Sequence, residues 1–220
     1  MILRSRTLYI FLLLLAMVLT LGGCQPETGD TIVLIGEEAD FRTPQQLMEG
    51  KISIAQQEAF LSELQGMPDA NTGVFPPDVM GSYKISPKQF LTSNIGFDFF
   101  DDDRDVLFRV FHQQNCLATV DFLEGEVNRI DNAYLIGQED VFSLYFTEER
   151  EVEFMGVDYR YERLVMITGR KDSEGIRDLS FGNVILKVEN GDDPLVGDFE
   201  PGWFFIYKDA DGLSELGDWF

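Results

Sequence analysis

The chain has 220 residues, with 17 Lys or Arg against 39 Asp or Glu and a formal charge of −22 when its single histidine is neutral. So acidic a surface repels phosphate backbones, which are bound by Lys and Arg displacing counterions, and it is equally unsuited to anionic membrane surfaces; nucleic acid is excluded as a partner. Disorder is excluded too, because 13% of the residues are aromatic, and they and the β-branched residues run through positions 75–208 in a length that supports one real core.

The first segment reads as an address. Arg4 and Arg6 form a basic start, Leu8 to Leu19 is almost wholly apolar, and no charge occurs from Thr7 to Pro26. That is a signal-peptide profile, shorter than the about 20 apolar residues that a membrane-crossing helix needs. Leu21, Gly22, Gly23 and Cys24 close it. This quartet resembles the lipobox of bacterial lipoproteins. The resemblance implies removal of residues 1–23 and attachment of a diacylglycerol, with palmitate-like chains, to the Cys24 thiol. Each acyl chain contributes about 0.8 kcal/mol per buried CH₂, and more than one chain is needed for stable anchoring. In such lipoproteins an aspartate after the cysteine favours the inner membrane, so Gln25 implies the outer membrane, on its periplasmic or cell-surface face. Without Arg4 and Arg6, 15 basic residues remain against 39 acidic ones, a mature charge of −24. With Cys24 held in a thioether, Cys116 has no partner within the chain, and the expectation is a buried thiol and no disulfide.

Residues 24–42 then form the lipidated cysteine and a tether, in which TIVLIG is an apolar patch able to dock as an edge strand. Residues 43–78 predict a short helical segment and a loop. Thr43 before Pro44 is an N-cap followed by proline at the first helical position. Ser53 with Gln56 makes a second start of capping-box type, and IAQQEAFLSEL gives roughly three turns with Phe60, Leu61 and Leu64 near one side. GMPDANTGVFPPD, residues 66–78, has the composition of a loop.

From residue 79 to 220 the apolar period becomes two, and roughly eight to ten strands are expected. In VLFRVFH, Val106, Phe108, Val110 and His112 share one face, and Leu107, Arg109 and Phe111 the other. In VFSLYFT, Phe142, Leu144 and Phe146 oppose Ser143, Tyr145 and Thr147. Tyr159, Tyr161, Arg163, Val165 and Ile167 lie on a common side. The connectors at 101–105, 123–126, 137–140, 169–178 and 209–212 are tight and polar, which favours hairpins. Such a meander must hide its edges. Gly81, Ser82 and Tyr83, after a proline-rich turn, resemble the G-x-W motif of lipocalin-like barrels with tyrosine in place of tryptophan. The expected fold is therefore mainly β, an antiparallel meander closed as a lipocalin-like barrel of calycin type, with a two-sheet β-sandwich as the alternative.

Few residues point to chemistry. His112 alone cannot supply a triad without a matching nucleophile, and no G-x-S-x-G is present. Zinc sites need several His or Cys ligands, so no metal centre and no cofactor is expected. Glu151 and Glu153 could serve as a glycosidase pair, but 39 carboxylates make such pairs inevitable. Asp98, Asp101, Asp102, Asp103 and Asp105 are dense enough to hold calcium, a solvated turn being the other reading, while DADG at 209–212 fails the EF-hand spacing. Arg109, Arg163 and Asn183 sit on strand faces among apolar neighbours. They are either convergent polar groups inside a ligand cavity or salt-bridged and solvent-facing side chains. The expectation is a non-enzymatic envelope lipoprotein that binds a small or apolar ligand or an envelope partner. A structural or adhesive module of sandwich type is the alternative, and a carboxylate-dependent hydrolase comes third.

Overall fold

The computed structural model describes residues 41–65, 73, 75–96, 105–124, 126–154, 157–189 and 200–218. Cys24, the TIVLIG patch and Asp98 and Asp101–Asp103 lie outside them. Two helices come first, α1 (Pro44–Met48) and α2 (Ile54–Gln65). Thr43 caps α1 by accepting from the Gln46 amide while Gln46 Oε1 accepts from the Thr43 amide at 2.8 Å, and Ser53 and Gln56 make the same reciprocal bonds ahead of α2. Among the described residues no helix is long and apolar enough to cross a membrane.

Ten strands follow: β1 (Gly81–Ile85), β2 (Lys88–Ser93), β3 (Val106–Gln114), β4 (Leu117–Glu124), β5 (Glu126–Gln138), β6 (Val141–Phe154), β7 (Val157–Lys171), β8 (Gly175–Glu189), β9 (Phe204–Asp209) and β10 (Leu213–Gly217). All belong to one antiparallel sheet, so the two-sheet alternative is corrected: β1 passes over β2 to pair with β3, β3 to β8 pair each with the next in sequence, and among the described residues no second sheet forms. The meander returns on itself. β10 pairs with β1 through Ser82↔Gly217 and Tyr83↔Leu216, and with β8 from Leu213↔Arg177 to Glu215↔Gly175. Eight strands thus form a ring. The later half of β8 pairs instead with β9, from Ser180↔Lys208 to Val184↔Phe204, and β9 carries β2 on its other edge.

Alternation divides the side chains into two layers. Tyr83, Phe108, Phe122, Leu135, Phe142, Phe146, Val165, Phe181, Phe205 and Tyr207 belong to one buried cluster inside the ring. The opposite faces of β5 to β9 meet the helices: Phe60 and Leu64 of α2 pack with Tyr145, Leu164, Met166, Val184 and Phe204. Gly182 allows that contact, since a Cβ there would lie 2.8 Å from Leu64 Cδ2. Tyr145 donates from its hydroxyl to the Arg42 carbonyl at 2.9 Å, which fastens the start of the helical segment to the outer wall.

Two expectations are corrected. A bulge between Val110 and His112 shifts the β3–β4 register; an extra residue reverses the alternation, so His112 is exposed instead of joining Phe108 and Val110. Cys116 lies in the β3–β4 turn, is buried, and is disulfide-bonded, not a thiol. The chain has one other cysteine, Cys24.

At the corner between β9 and β10, Ser214 Oγ donates to Asp209 Oδ2, and both side chains are buried. Burial, helped by Asp211, pushes the Asp209 carboxyl up to about 6. The folded chain therefore holds this proton more tightly than the unfolded one, so stability is lost as pH rises through the window between about 4 and 6. Asp209→Asn keeps an acceptor for Ser214. It is expected to be more stable than wild type by about 1–2 kcal/mol at pH 7.5 and equal to it at pH 4 in chemical denaturation.

Candidate ligand site at one end of the ring

The same alternation that buries the aromatic residues carries polar ones inward near one end. On β6, Glu148 follows Phe146 by two positions and Arg150 follows Glu148; on β4, Glu124 follows Phe122; on β7, Arg163 precedes Val165. Cross-strand register confirms the shared face: Glu148↔Arg163, Phe146↔Val165, Asn128↔Phe122 and Asn183↔Val165.

Arg163 is the centre of this group. Its Nε donates to Glu148 Oε1 at 2.8 Å, and its Nη2 donates to the same oxygen and to Glu124 Oε2, each at 2.5 Å. Asn128 Nδ2 donates to the other Glu148 oxygen at 2.8 Å, and Arg150 donates to the Glu124 carbonyl. The Arg163 and Glu148 side chains are 2% and 0% exposed, which makes this a buried ion network. Burial alone would raise the Glu124 carboxyl, but the Arg163 guanidinium, with Lys88 and Arg150 behind it, holds it below the usual carboxylate range. Glu124 and Glu148 conversely tighten the proton on Arg163 against the opposing effect of burial. Burial pushes the Tyr161 hydroxyl up.

The network also spans a seam in the wall. Among the described residues, β5 pairs with β6 only from Tyr134↔Tyr145 to Gln138↔Val141. Beyond that point β5 continues beside β4 and β6 beside β7. The Asn128–Glu148 hydrogen bond crosses between the two strands where backbone pairing has stopped.

Beneath the charges lies an aromatic floor. Phe122 contacts Phe146 and Phe181 at centroid distances of 5.4 and 5.7 Å, and Phe181 stacks on Tyr207 at 5.7 Å. The Arg163 guanidinium stands 6.0 Å from the Phe122 centroid. Phe90, Ile95, Ile130 and Trp203 are partly buried and pack against this interior. Among the described residues, two polar side chains of this interior have no hydrogen-bond partner. Lys88 Nζ is buried 4.7 Å from the Tyr207 ring centroid, and Asn183, 1% exposed, leaves both Oδ1 and Nδ2 without a hydrogen bond.

Of the three polar residues singled out on strand faces, Arg163 and Asn183 share this interior. Arg109 does not, because alternation from Phe108 turns it outward. There Asp121 accepts from Arg109 at 2.7 Å and from Arg129 at 2.8 Å, and the Arg129 guanidinium lies 4.5 Å from the ring of Phe111. Glu151 faces outward in an ion pair with Arg160, while the Glu153 side chain is outside the description. Asp105 pairs with Lys84 at 2.6 Å. Among the described residues no three His, Cys, Asp or Glu side chains gather as metal ligands. Sequence reasoning passed over Lys88, Glu124, Asn128, Glu148 and Arg150. Their signal was an in-phase position, two residues from an inward aromatic in the cases of Lys88, Glu124 and Glu148. No protein-family model, curated protein or solved structure matches the chain.

Removing one member of a buried ion network strands the other in low dielectric, whereas replacing both by apolar groups relieves the desolvation. Arg163→Met is therefore expected to destabilise the fold by about 3–5 kcal/mol in urea unfolding, and the triple variant Arg163→Met/Glu124→Met/Glu148→Met, which removes both carboxylates that Arg163 holds, to recover most of that loss. A single-variant cost under about 1 kcal/mol, typical of exposed pairs, would contradict the burial.

Proposed function

We propose that this chain is a non-enzymatic envelope lipoprotein, and that its ring is a lipocalin-like barrel holding a small, largely apolar ligand at the charged end. The observation that carries the reading is the unpartnered pair in an aromatic interior. A buried amide or ammonium without a hydrogen bond costs about 1–3 kcal/mol or more, and native interiors rarely leave such groups unmatched. A ligand reaching Asn183 and Lys88 would satisfy both while its apolar part met Phe90, Ile95, Ile130 and Trp203. The buried network is further support, because such networks are poor sources of stability and place fixed charge where recognition needs it.

The address rests on the segment before Cys24. Lipidation consumes the Cys24 thiol, so a lipidated chain cannot also use it in a disulfide with Cys116. Both chemistries belong outside the cytosol, the disulfide because it needs an oxidising compartment. Gln25 favours the outer membrane, with the acidic body held in the aqueous phase beside it.

A second reading has its own observation. Phe111 is 41% exposed beside the Arg109–Asp121–Arg129 group, a combination suited to contact with an envelope protein.

Titration with the neutral apolar probe N-phenyl-1-naphthylamine is expected to give saturable one-to-one fluorescence enhancement. Enhancement that never saturates would remove the ligand reading and leave the Phe111 surface as the better one. Mass spectrometry of the native membrane-extracted protein is expected to find acyl chains on Cys24 at a mature N-terminus; an unacylated Cys24 or a mature N-terminus elsewhere would refute the anchor.

A further inference from the structure

The two unpartnered groups narrow the ligand to a chemical class. We propose that the site selects a single-chain amphiphile with a carboxylate head, bound between Lys88 Nζ and the Asn183 amide; this rests on the ligand reading above.

The placement comes from register. Phe205 and Tyr207 are successive inward residues of β9, Asn183 lies directly opposite Phe205, and Phe90 of β2 lies opposite Tyr207. Asn183 is thus a diagonal neighbour of Tyr207, within reach of the same space. Lys88 stands over that ring, so both polar groups border one aromatic surface.

Charge decides the sign of the head. Glu124 and Glu148 are already engaged by Arg163. Asp209 is opposite Lys88 in register, yet it accepts from Ser214, and its Oδ1 has no hydrogen-bond partner, Lys88 Nζ included. Lys88, Arg150 and Arg163 face Glu124, Glu148 and, above about pH 6, Asp209, and of the three cations the Lys88 ammonium is the one without a hydrogen bond to any carboxylate. A cationic head would meet that ammonium as a like charge. A neutral alcohol would give it a hydrogen bond but no bonded counter-ion.

The number of donors points to a carboxylate. The Lys88 ammonium and the Asn183 Nδ2 offer charge-assisted bonds to the two oxygens of a carboxylate, with Asn183 Oδ1 left to accept from the ammonium or water, whereas a phosphate brings a second negative charge against the one cation without a bonded carboxylate. The net charge of −22 also repels small free anions at long range. A hydrocarbon chain is therefore required to supply binding free energy by apolar burial, and the half-buried Phe90, Ile95, Ile130 and Trp203 offer the matching surface.

The test compares dodecanoate with dodecanol, which share a chain and differ in the head, by calorimetry on the full-length protein at concentrations below micelle formation. Dodecanoate is expected to bind roughly tenfold more tightly than dodecanol. Lys88→Met is expected to lower dodecanoate affinity by about the same factor. Lys88→Gln serves as a second variant should the first fail to fold, with circular dichroism as the control for both. Equal affinity for the two compounds in the wild type, or an unchanged preference in a folded Lys88 variant, would overturn the carboxylate assignment while leaving the ligand site standing. If neither compound binds, the ligand reading itself falls.

Discussion

Everything inside the molecule depends on β8 being shared lengthwise between two partners. Its first residues hold β10 and its later residues hold β9, so β10 is free to reach β1 with its other side. Were β8 paired with β9 along its whole length, β10 would lose its partner on that side and the ring would stand open at a bare strand edge, an invitation to pair with other chains. Gly81 serves the same closure: it holds a φ of +140° at the start of β1, where a Cβ would lie 2.3 Å from Leu216 Cδ1. A side chain here would meet both backbone strain and the closing strand.

Closure makes an inside, and the inside is uneven. Toward Tyr83 and Phe108, which stack at 5.1 Å, it is filled with aromatic and branched side chains. Toward Arg163 it holds a charge network, and the wall beside that network is joined by the side chains of Asn128 and Glu148 where backbone pairing between β5 and β6 ends. Covering its outer face with α1 and α2 allows β5 to β9 to be apolar on both sides, which an antiparallel sheet facing water on one side does not permit. The helices thus contribute to the site indirectly, by keeping the strands that carry Arg163 and Asn183 buried on both sides.

The sulfur chemistry brings two lines of reasoning into competition. The proposed lipobox would put Cys24 in a thioether, whereas the folded body has Cys116 in a disulfide, and the chain has two cysteines in all. The acidic surface is compatible with both, because it favours solubility and says little about fold.

Much of the fold was legible residue by residue. The capping of α1 and α2, the period-two alternation of β6 and β7, and the inward face carrying Arg163, Val165 and Ile167 all follow from local chemistry that needs no partner. Alternation failed at His112, since a bulge leaves no signature in residue type, and it grouped Arg109 with Arg163 and Asn183 because a face has no sign until the ring closes. Glu124, Glu148 and Lys88 went unseen among 39 acidic and 17 basic residues, for a carboxylate two positions from an aromatic looks the same on either face. The sequence by itself determined which side chains share a strand face. Only the tertiary structure decided which faces meet, bringing Glu124 to Arg163 across 39 positions of chain, because pairing between distant strand edges is selected by the closure of the whole ring and not by any segment within it.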